Sequence, residues 1–346
     1  MSKRARVTLA HGSGGVETEE IVNKLILSKV PSSLRSAMNG VGLNELDDGA
    51  SLVINGLHVV ISSDSYTVNP PVFPGGNIGT LAAAGTINDV LMMGAKPVAL
   101  MDSIVVAEGF EIGLLSEILE SMLSVLKENK VALIGGDFKT MPKDDFNSIV
   151  ISTVGIGVAK KPIVDSSLKP GDKIIVSGYV GDHGATILAL QQGIELSESK
   201  LKSDVRPLTD LMIPLLEEYG EHIHAARDPT RGGLAMLLND WAASSGTVIV
   251  VEEDKIPVRE EVLAYSEMLG IDPLSLASEG VAVVGVARDV AEDVLSFIKE
   301  KGFREASIIG EVKAGKRYSG IVLYKSSIGG TRILEPPRGE IVPRIC

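Results

Sequence analysis

Three observations predict an α+β chain folded as two α/β domains. Strand-like and helix-like segments alternate through the first 160 residues, stop at a proline- and glycine-rich break, and begin again. The length of 346 residues exceeds what one small core organises. An apolar fraction of 45% with only 4% aromatics describes interiors built on aliphatic side chains, and 37 glycines supply tight turns or close backbone approaches.

Ser51 to Ser62 reads as two strands meeting at Asn55-Gly56, the strongest short-range hairpin signal. Asn77 to Gly94 carries small and apolar residues at helical spacing and fits a closely packed helix. Phe110 to Asn129 is a longer amphipathic helix. Val131 to Gly135 is a strand leading into Gly135-Gly136-Asp137, and Ser148 to Ala159 is another. Pro162, Pro170 and Gly171 break the pattern between Lys160 and Asp172. The second half restarts with a strand over Lys173 to Ser177, then helices over His183 to Gln192, Leu208 to Tyr219 and after Gly232-Gly233. Val248 to Glu252, Val281 to Ala287, Ser307 to Val312 and Ile321 to Tyr324 read as strands, with a helix over Val290 to Lys301. The expected division is residues 1–160, 161–335, and a tail over 336–346.

The net charge of −12 argues against nucleic-acid binding, which needs clustered positive charge. No intrachain disulfide can form from one cysteine, and no apolar run is long enough to span a membrane. Lys3, Arg4 and Arg6 precede only four apolar residues, too few for a signal-peptide core, so a cytoplasmic location is expected. Zinc catalysis is set aside: five scattered histidines offer only His222 and His224 as a close pair, read as polar surface. His183 lies near a helix start, where a cap or turn role is expected.

The one cysteine is Cys346, the final residue, on a segment with Pro336, Pro337 and Pro343 that favours extended backbone. Chain ends fray unless held, so burial of this thiol is not expected. Fully extended, the arm spans roughly 36 Å, enough to carry a thiol between reaction sites.

Acidic residues beside glycine or small residues recur in the first half: Asp47-Asp48-Gly49-Ala50, Ser62-Ser63-Asp64, Asn88-Asp89 and Gly135-Gly136-Asp137. One alone is ordinary turn chemistry; four together favour a metal–nucleotide site, because magnesium bridges carboxylates to phosphate oxygens. His11-Gly12-Ser13-Gly14-Gly15 and Phe73-Pro74-Gly75-Gly76-Asn77 each open onto a helix and are read as candidate phosphate cradles. Neither has P-loop or dinucleotide spacing. Arg227-Asp228-Pro229-Thr230-Arg231-Gly232-Gly233 adds cations, a carboxylate and glycines at another helix start.

In order, Asp47-Asp48-Gly-Ala, Phe73-Pro-Gly-Gly-Asn-Ile-Gly79, Gly85-Thr-Ile-Asn-Asp89, Gly135-Gly-Asp-Phe-Lys139, Gly181-Asp-His-Gly184, Asp228-Pro-Thr-Arg-Gly-Gly233, Glu279-Gly280 and Pro343-Arg-Ile-Cys346 resemble one family along the whole chain. It is the hydrogenase-maturation carbamoyl dehydratase family, HypE, within the aminoimidazole-ribonucleotide-synthetase-like ATP-binding superfamily. The resemblance implies an N-terminal domain that forms a β-barrel as a homodimer, a C-terminal α+β sandwich, and a flexible tail. It implies that Cys346 accepts a carbamoyl group from a HypF-type carbamoyltransferase. ATP then phosphorylates the carbamoyl oxygen, phosphate leaves, and the resulting thiocyanate supplies cyanide to iron on a HypC–HypD-type complex for [NiFe]-hydrogenase.

Catalytic positions implied are Cys346, Lys139 and Glu279. Those implied for ATP are Asp48, Asp64, Asn88, Asp89, Gly135, Gly136, Asp137, Asp228, Thr230, Arg231 and Gly232, with Asp48, Asp64, Asp89 and Asp137 holding Mg2+. The chain departs from the family at Phe138 and Ser62-Ser63, where threonine is usual, and at Asp240, where glutamate is frequent. A kinase or ligase of the same superfamily acting on a free small molecule is the alternative reading, and a nucleotide-binding scaffold is a third. The terminal thiol favours the dehydratase.

Overall fold

The computed structural model describes residues 6–196, 199–315, 318–340, 342 and 344–346; Lys3, Arg4 and Pro343 lie outside them. The first half contains α1 (Val16–Leu25), β1 (Ala50–Ile54), β2 (Leu57–Tyr66), a two-residue ribbon of β3 (Val72–Phe73) and β4 (Gly76–Asn77), and α2 (Ile78–Met92). It continues with β5 (Lys96–Ala107), α3 (Ile112–Glu128), β6 (Ala132–Met141) and β7 (Ile149–Ala159). The β1–β2 turn places Asn55 at φ 52° and Gly56 at φ 79°, the left-handed pair that matches strand twist. The sheet order is β1-β2-β7-β5-β6, antiparallel except for the parallel β5–β6 pair. Within one chain this sheet is open, with β1 and β6 at its edges; the expected barrel is not closed by these strands alone.

The second half contains β8 (Lys173–Val176), α4 (Asp182–Gln191), α5 (Thr209–Tyr219), β9 (Ile223–Arg227), α6 (Gly233–Ser245) and β10 (Val248–Glu252). After them come α7 (Glu260–Leu269), β11 (Val283–Val286), α8 (Ala291–Glu300), β12 (Ser307–Lys313), β13 (Ile321–Lys325) and β14 (Thr331–Ile333). Its seven strands run β14-β13-β10-β12-β8-β11-β9. Side-chain alternation splits this sheet between two interiors. Ile174, Val176 and Val283 pack with Trp241 and Leu238 of α6, whereas Ile175 and Val284 face α4, α5 and α8. That second interior is shared with α2 and α3, so both halves close over one apolar layer.

β3, β4, β9, α7 and β14 were not expected from the sequence, and two further elements differ in ways that bear on the first sheet. β5, in the middle of the first sheet, was not expected, because Pro97 and Asp102 interrupt its apolar run; the register shifts between Pro97 and Ala99, which accommodates the proline. β6 does not end at Gly135 but runs through Gly136 and Asp137 to Met141. Its glycines serve close strand packing there, since a Cβ at Gly136 would collide with the Asp102 carboxyl group.

Candidate active site

The site forms where α2 lies over β2. Period-two alternation turns Val60, Ser62, Asp64 and Tyr66 towards α2. The helix is buried almost all round and approaches closely because its contact residues are small; a Cβ at Gly85 would sit 2.5 Å from the Tyr66 hydroxyl. Successive helix residues diverge by about 100°, so Asp89 and Asn88 serve different neighbours. Asp89 Oδ2 accepts from Ser62 Oγ at 2.6 Å. Asn88 Nδ2 donates to the carbonyls of Arg206 (3.1 Å) and Glu279 (3.3 Å), and its Oδ1 accepts from Leu208 N at 2.8 Å. Asn88, expected at the nucleotide, is fully buried with its amide engaged by backbone, where it fixes the segment bearing Glu279.

Asp204 holds that segment from the other side, accepting from the amides of Glu279 and Gly280 at 3.1 Å each. The Glu279 carboxyl group is buried and its Oε1 has no partner. Beyond β9, Thr230 N donates to Asp228 O (3.0 Å), and Gly233 N to Thr230 O (2.8 Å). Gly232 adopts φ 80° as α6 begins, a conformation glycine takes without strain. This turn presents Arg231 towards Asp64, with Nη2 4.0 Å from Oδ1. Gly14 of the first glycine-rich loop packs against Arg231, so that loop braces the turn.

The second glycine-rich loop, read as a candidate phosphate cradle, opens onto α2 through Asn77. The amides that open α2 are already satisfied: Gly79 N and Thr80 N donate to Asn77 Oδ1, and Ile78 N donates to Pro71 O. These three amides are therefore not offered to an anion.

Cys346 corrects the expectation of a frayed, exposed thiol. Its relative exposure is 5%, and Val342 and Ile345 are buried with it. After β2 ends, Thr67 N and Oγ1 donate to Cys346 O at 2.7 and 2.9 Å, and Asn69 N donates to Arg344 O at 3.1 Å. Arg344 Nε returns a hydrogen bond to Thr67 O at 2.9 Å. Backbone left free at the end of β2 thus pairs with the end of the chain, a tertiary contact that no local pattern signals. His183, expected as a cap or turn residue, is fully buried and also touches the tail.

Charge is concentrated around the thiol. Burial, reinforced by neighbouring carboxylates, pushes Asp89, Asp228 and Glu279 well above the usual carboxylate range. Burial likewise pushes the Cys346 thiol up, against the pull of Arg231; Glu279, Asp64 and Asp89 raise it further. Cys346, with Asp64 and Glu279, pushes Arg231 up against the opposing effect of burial. Asp228 Oδ2, Glu279 Oε1 and Asp48 Oδ2 are buried without hydrogen-bond partners, an arrangement that a cation would relieve. Among the described residues no three His, Cys, Asp or Glu side chains converge closely enough to hold a metal ion by themselves.

Arg227, to which the sequence assigned no role, organises the approach to Asp48. Its guanidinium lies 2.9 Å from Asp165, 3.1 Å from Asp48, 3.2 Å from Asp240 and 3.8 Å from Asp47. Nη1 donates to Asp240 Oδ2 and Nη2 to Leu46 O, each at 3.2 Å, and the other approaches are ion pairs without hydrogen-bond geometry. Burial disfavours the Arg227 charge, but the carboxylates outweigh it and raise the group. Burial raises Asp48 well above its ordinary range and Asp165 to about 7, with Arg227 opposing both. Since Asp47 and Asp48 precede β1 while Arg227 ends β9, the cluster joins the two halves. The His222–His224 pair is not simply polar surface: His224 Nδ1 lies 2.8 Å from Asp172 Oδ2 and is partly buried.

Gly135, Gly136, Asp137 and Lys139 are not brought to this centre by their own chain. They lie on the edge strand β6, where Asp137 forms an exposed ion pair with Lys139 that lowers its pKa. Leu133, Ile134, Phe138 and Met141 on the same strand are exposed apolar residues.

Family models for AIR synthase related proteins match both halves: the N-terminal domain over residues 46–159 and the C-terminal domain over residues 169–323. A hydrogenase expression/formation protein of Methanocaldococcus jannaschii is 42% identical over 99% of this chain and 100% of the relative. Carbamoyl dehydratase HypE of Rhizobium leguminosarum bv. viciae is 37% identical, over 99% of this chain and 95% of that protein. Among solved structures, hydrogenase maturation protein HypE in complex with ATP aligns with a TM-score of 0.80 at 36% identity, covering 99% of this chain and 100% of that one. A HypE–HypF complex aligns with a TM-score of 0.82 at 36% identity, covering 93% and 100%.

Proposed function

The chain belongs to the HypE carbamoyl dehydratase family, and on that premise we propose that it converts an S-carbamoyl group on Cys346 into a thiocyanate at the expense of ATP. The observation that carries this reading is the seating of the Cys346 thiol within electrostatic reach of Arg231, Glu279, Asp64 and Asp89. A kinase of a free metabolite has no use for its own tail at that point.

The γ-phosphoryl group of ATP goes to the carbamoyl oxygen, turning a poor leaving group into a good one. The carbon–oxygen bond then breaks, phosphate departs with that oxygen, and loss of the two nitrogen-bound protons leaves S–C≡N. Glu279 takes a proton from the nitrogen: a carboxylate whose pKa burial has raised is a stronger base near neutral pH. Arg231 sets positive charge against the oxygen as charge develops there. Asp48, Asp64, Asp89 and Asp137 would hold magnesium with the nucleotide, which supplies charge neutralisation for the transferring phosphoryl group. Asp228, Thr230 and Gly232 shape the phosphate side of the centre, and Asn88 holds Glu279 in place.

A second copy completes the site. The exposed apolar edge of β6 is a surface that proteins cover by pairing. Joining two such sheets closes the barrel expected from the sequence and brings Gly135, Gly136, Asp137 and Lys139 of one copy to the nucleotide of the other. Lys139 then opposes charge on the transferring phosphate. A HypF-type donor charges the thiol when the tail leaves the centre, and an iron-bearing HypC–HypD-type complex receives the cyanide in the cytoplasm. Oxygen-18 placed in the carbamoyl group tests the reaction. The account requires the label in inorganic phosphate after single-turnover dehydration; label released into water contradicts phosphorylation of that oxygen.

A further inference from the structure

The buried thiol must be held in the centre for dehydration and freed for exchange with donor and acceptor. We infer that His183 is the positioning residue that latches the tail, by donating from its neutral Nε2–H to the carbonyl of Ile345. The inference rests on the dehydratase reading for its purpose, not for its geometry.

His183 stands in the first turn of α4 and is fully buried. Its Nδ1 lies 2.7 Å from Ser203 Oγ and its Nε2 2.8 Å from Ile345 O. The Ile345 carbonyl can only accept, so Nε2 donates to it and Nδ1 accepts from Ser203 Oγ, whose oxygen also accepts from Val205 N at 3.1 Å. An imidazole that accepts at Nδ1 carries its proton on Nε2, and a carbonyl is what that proton meets. The tautomer follows from the hydrogen-bond pattern, and burial, which lowers the ring to about 4, keeps it neutral. Phe73 meets the ring edge-on, with centroids 5.3 Å apart at 83°, which fixes its plane. Ser203 N donates to Pro74 O at 2.8 Å, and a Cβ at Gly75 would sit 2.5 Å from Ser203 O. The Phe73-Pro74-Gly75 loop therefore supports the latch.

Ile345 adjoins the reactive residue, so this bond fixes where Cys346 sits. The Thr67–Cys346 and Asn69–Arg344 bonds place the tail alongside the first half. His183 supplies the anchor from the second half, and losing it frees the tail without unmaking either unit.

Cys346 is the sole cysteine, so its rate of modification by a maleimide reports tail release directly, with no ATP present. His183→Leu keeps an apolar volume and removes the donor; His183→Gln keeps an N–H donor on a side chain of similar reach. In the full-length chain, the leucine variant should be modified about three- to tenfold faster, the range expected for one lost hydrogen bond, and the glutamine variant near the wild-type rate. Single-turnover dehydration of the pre-carbamoylated leucine variant should be slower, with carbamoyl transfer from the donor not slowed. Ser203→Ala, which leaves Nδ1 without its proton donor, should also speed modification and serves if the leucine variant does not fold. Unchanged reactivity in whichever of the two folds overturns the latch. Because maleimide modification involves no nucleotide chemistry, that result leaves the dehydratase reading standing; normal latching with no dehydration contradicts only the dehydratase reading.

Discussion

Replacing Arg227 by methionine leaves Asp47, Asp48, Asp165 and Asp240 facing one another without the cation they surround. Removing one partner of a buried ion pair costs about 3–5 kcal/mol, because the charge left behind is neither hydrated nor paired. An unfolding entropy of about 2.1 cal/mol/K per residue over 346 residues gives about 0.7 kcal/mol/K. The expected fall in melting temperature is therefore about 4–7 °C at pH 8. The deficit should shrink at pH 5.5, since Asp165 at about 7 and Asp48 well above its ordinary value take up protons there, and loss of Arg227 removes an influence that opposed this. Scanning calorimetry at the two pH values measures both quantities. A variant as stable as the wild type at pH 8, or a deficit independent of pH, refutes the view that Arg227 neutralises this cluster. Asp48 also loses its orienting partner, so magnesium-dependent nucleotide affinity should fall.

Glu279→Gln should abolish dehydration while melting no earlier than the wild type, because burial and Asp228, Asp204, Asp64 and Asp89 already disfavour the charge of this carboxyl group and glutamine keeps its shape; a large loss of stability with activity retained would show a structural role. Lys139→Ala should leave melting unchanged and stop turnover, and mixing it with Cys346→Ser should restore part of the activity if Lys139 acts on the partner copy. Phe138→Asp should convert a dimer into a monomer by light scattering, since Phe138 is 53% exposed on the edge strand. Between pH 6 and 8 the ligand-free chain should lose stability as pH rises. Burial raises Asp165 to about 7 and Asp204 and Asp240 to about 6, so their contribution is full below about 4 and lost as pH climbs through those values. His183, lowered to about 4, opposes this only below its ordinary value of 6.5. The fluorescence of the buried Trp241 follows the transition, and a melting temperature that rises from pH 6 to pH 8 would contradict the sign.

Features written in local chemistry were legible in the sequence. Asn55-Gly56 turns the first hairpin, and the small and apolar residues from Asn77 onward form the closely packed α2. What depended on distant packing was not legible. The burial of Cys346 rests on backbone groups of Thr67 and Asn69 and on His183, each remote from it in sequence. Arg227 reads as one more charge in a basic loop until its four carboxylates are assembled from separate segments. The run Gly135-Gly136-Asp137 has turn composition yet lies in a strand, because it pairs with Met101, Asp102 and Ser103 of β5, and the Asp102 carboxyl group fills the space a side chain would take at Gly136. The two glycine-rich loops look alike on paper; one braces Arg231, and the other packs around His183 and Ser203.

The most direct test is the intact mass of the full-length chain after carbamoylation of Cys346 by its donor system, measured before and after addition of ATP with magnesium. The mass should fall by one water, with the change confined to the C-terminal peptide and absent in Cys346→Ser. A carbamoylated chain whose mass ATP leaves unchanged while ATP is consumed would contradict the dehydratase assignment.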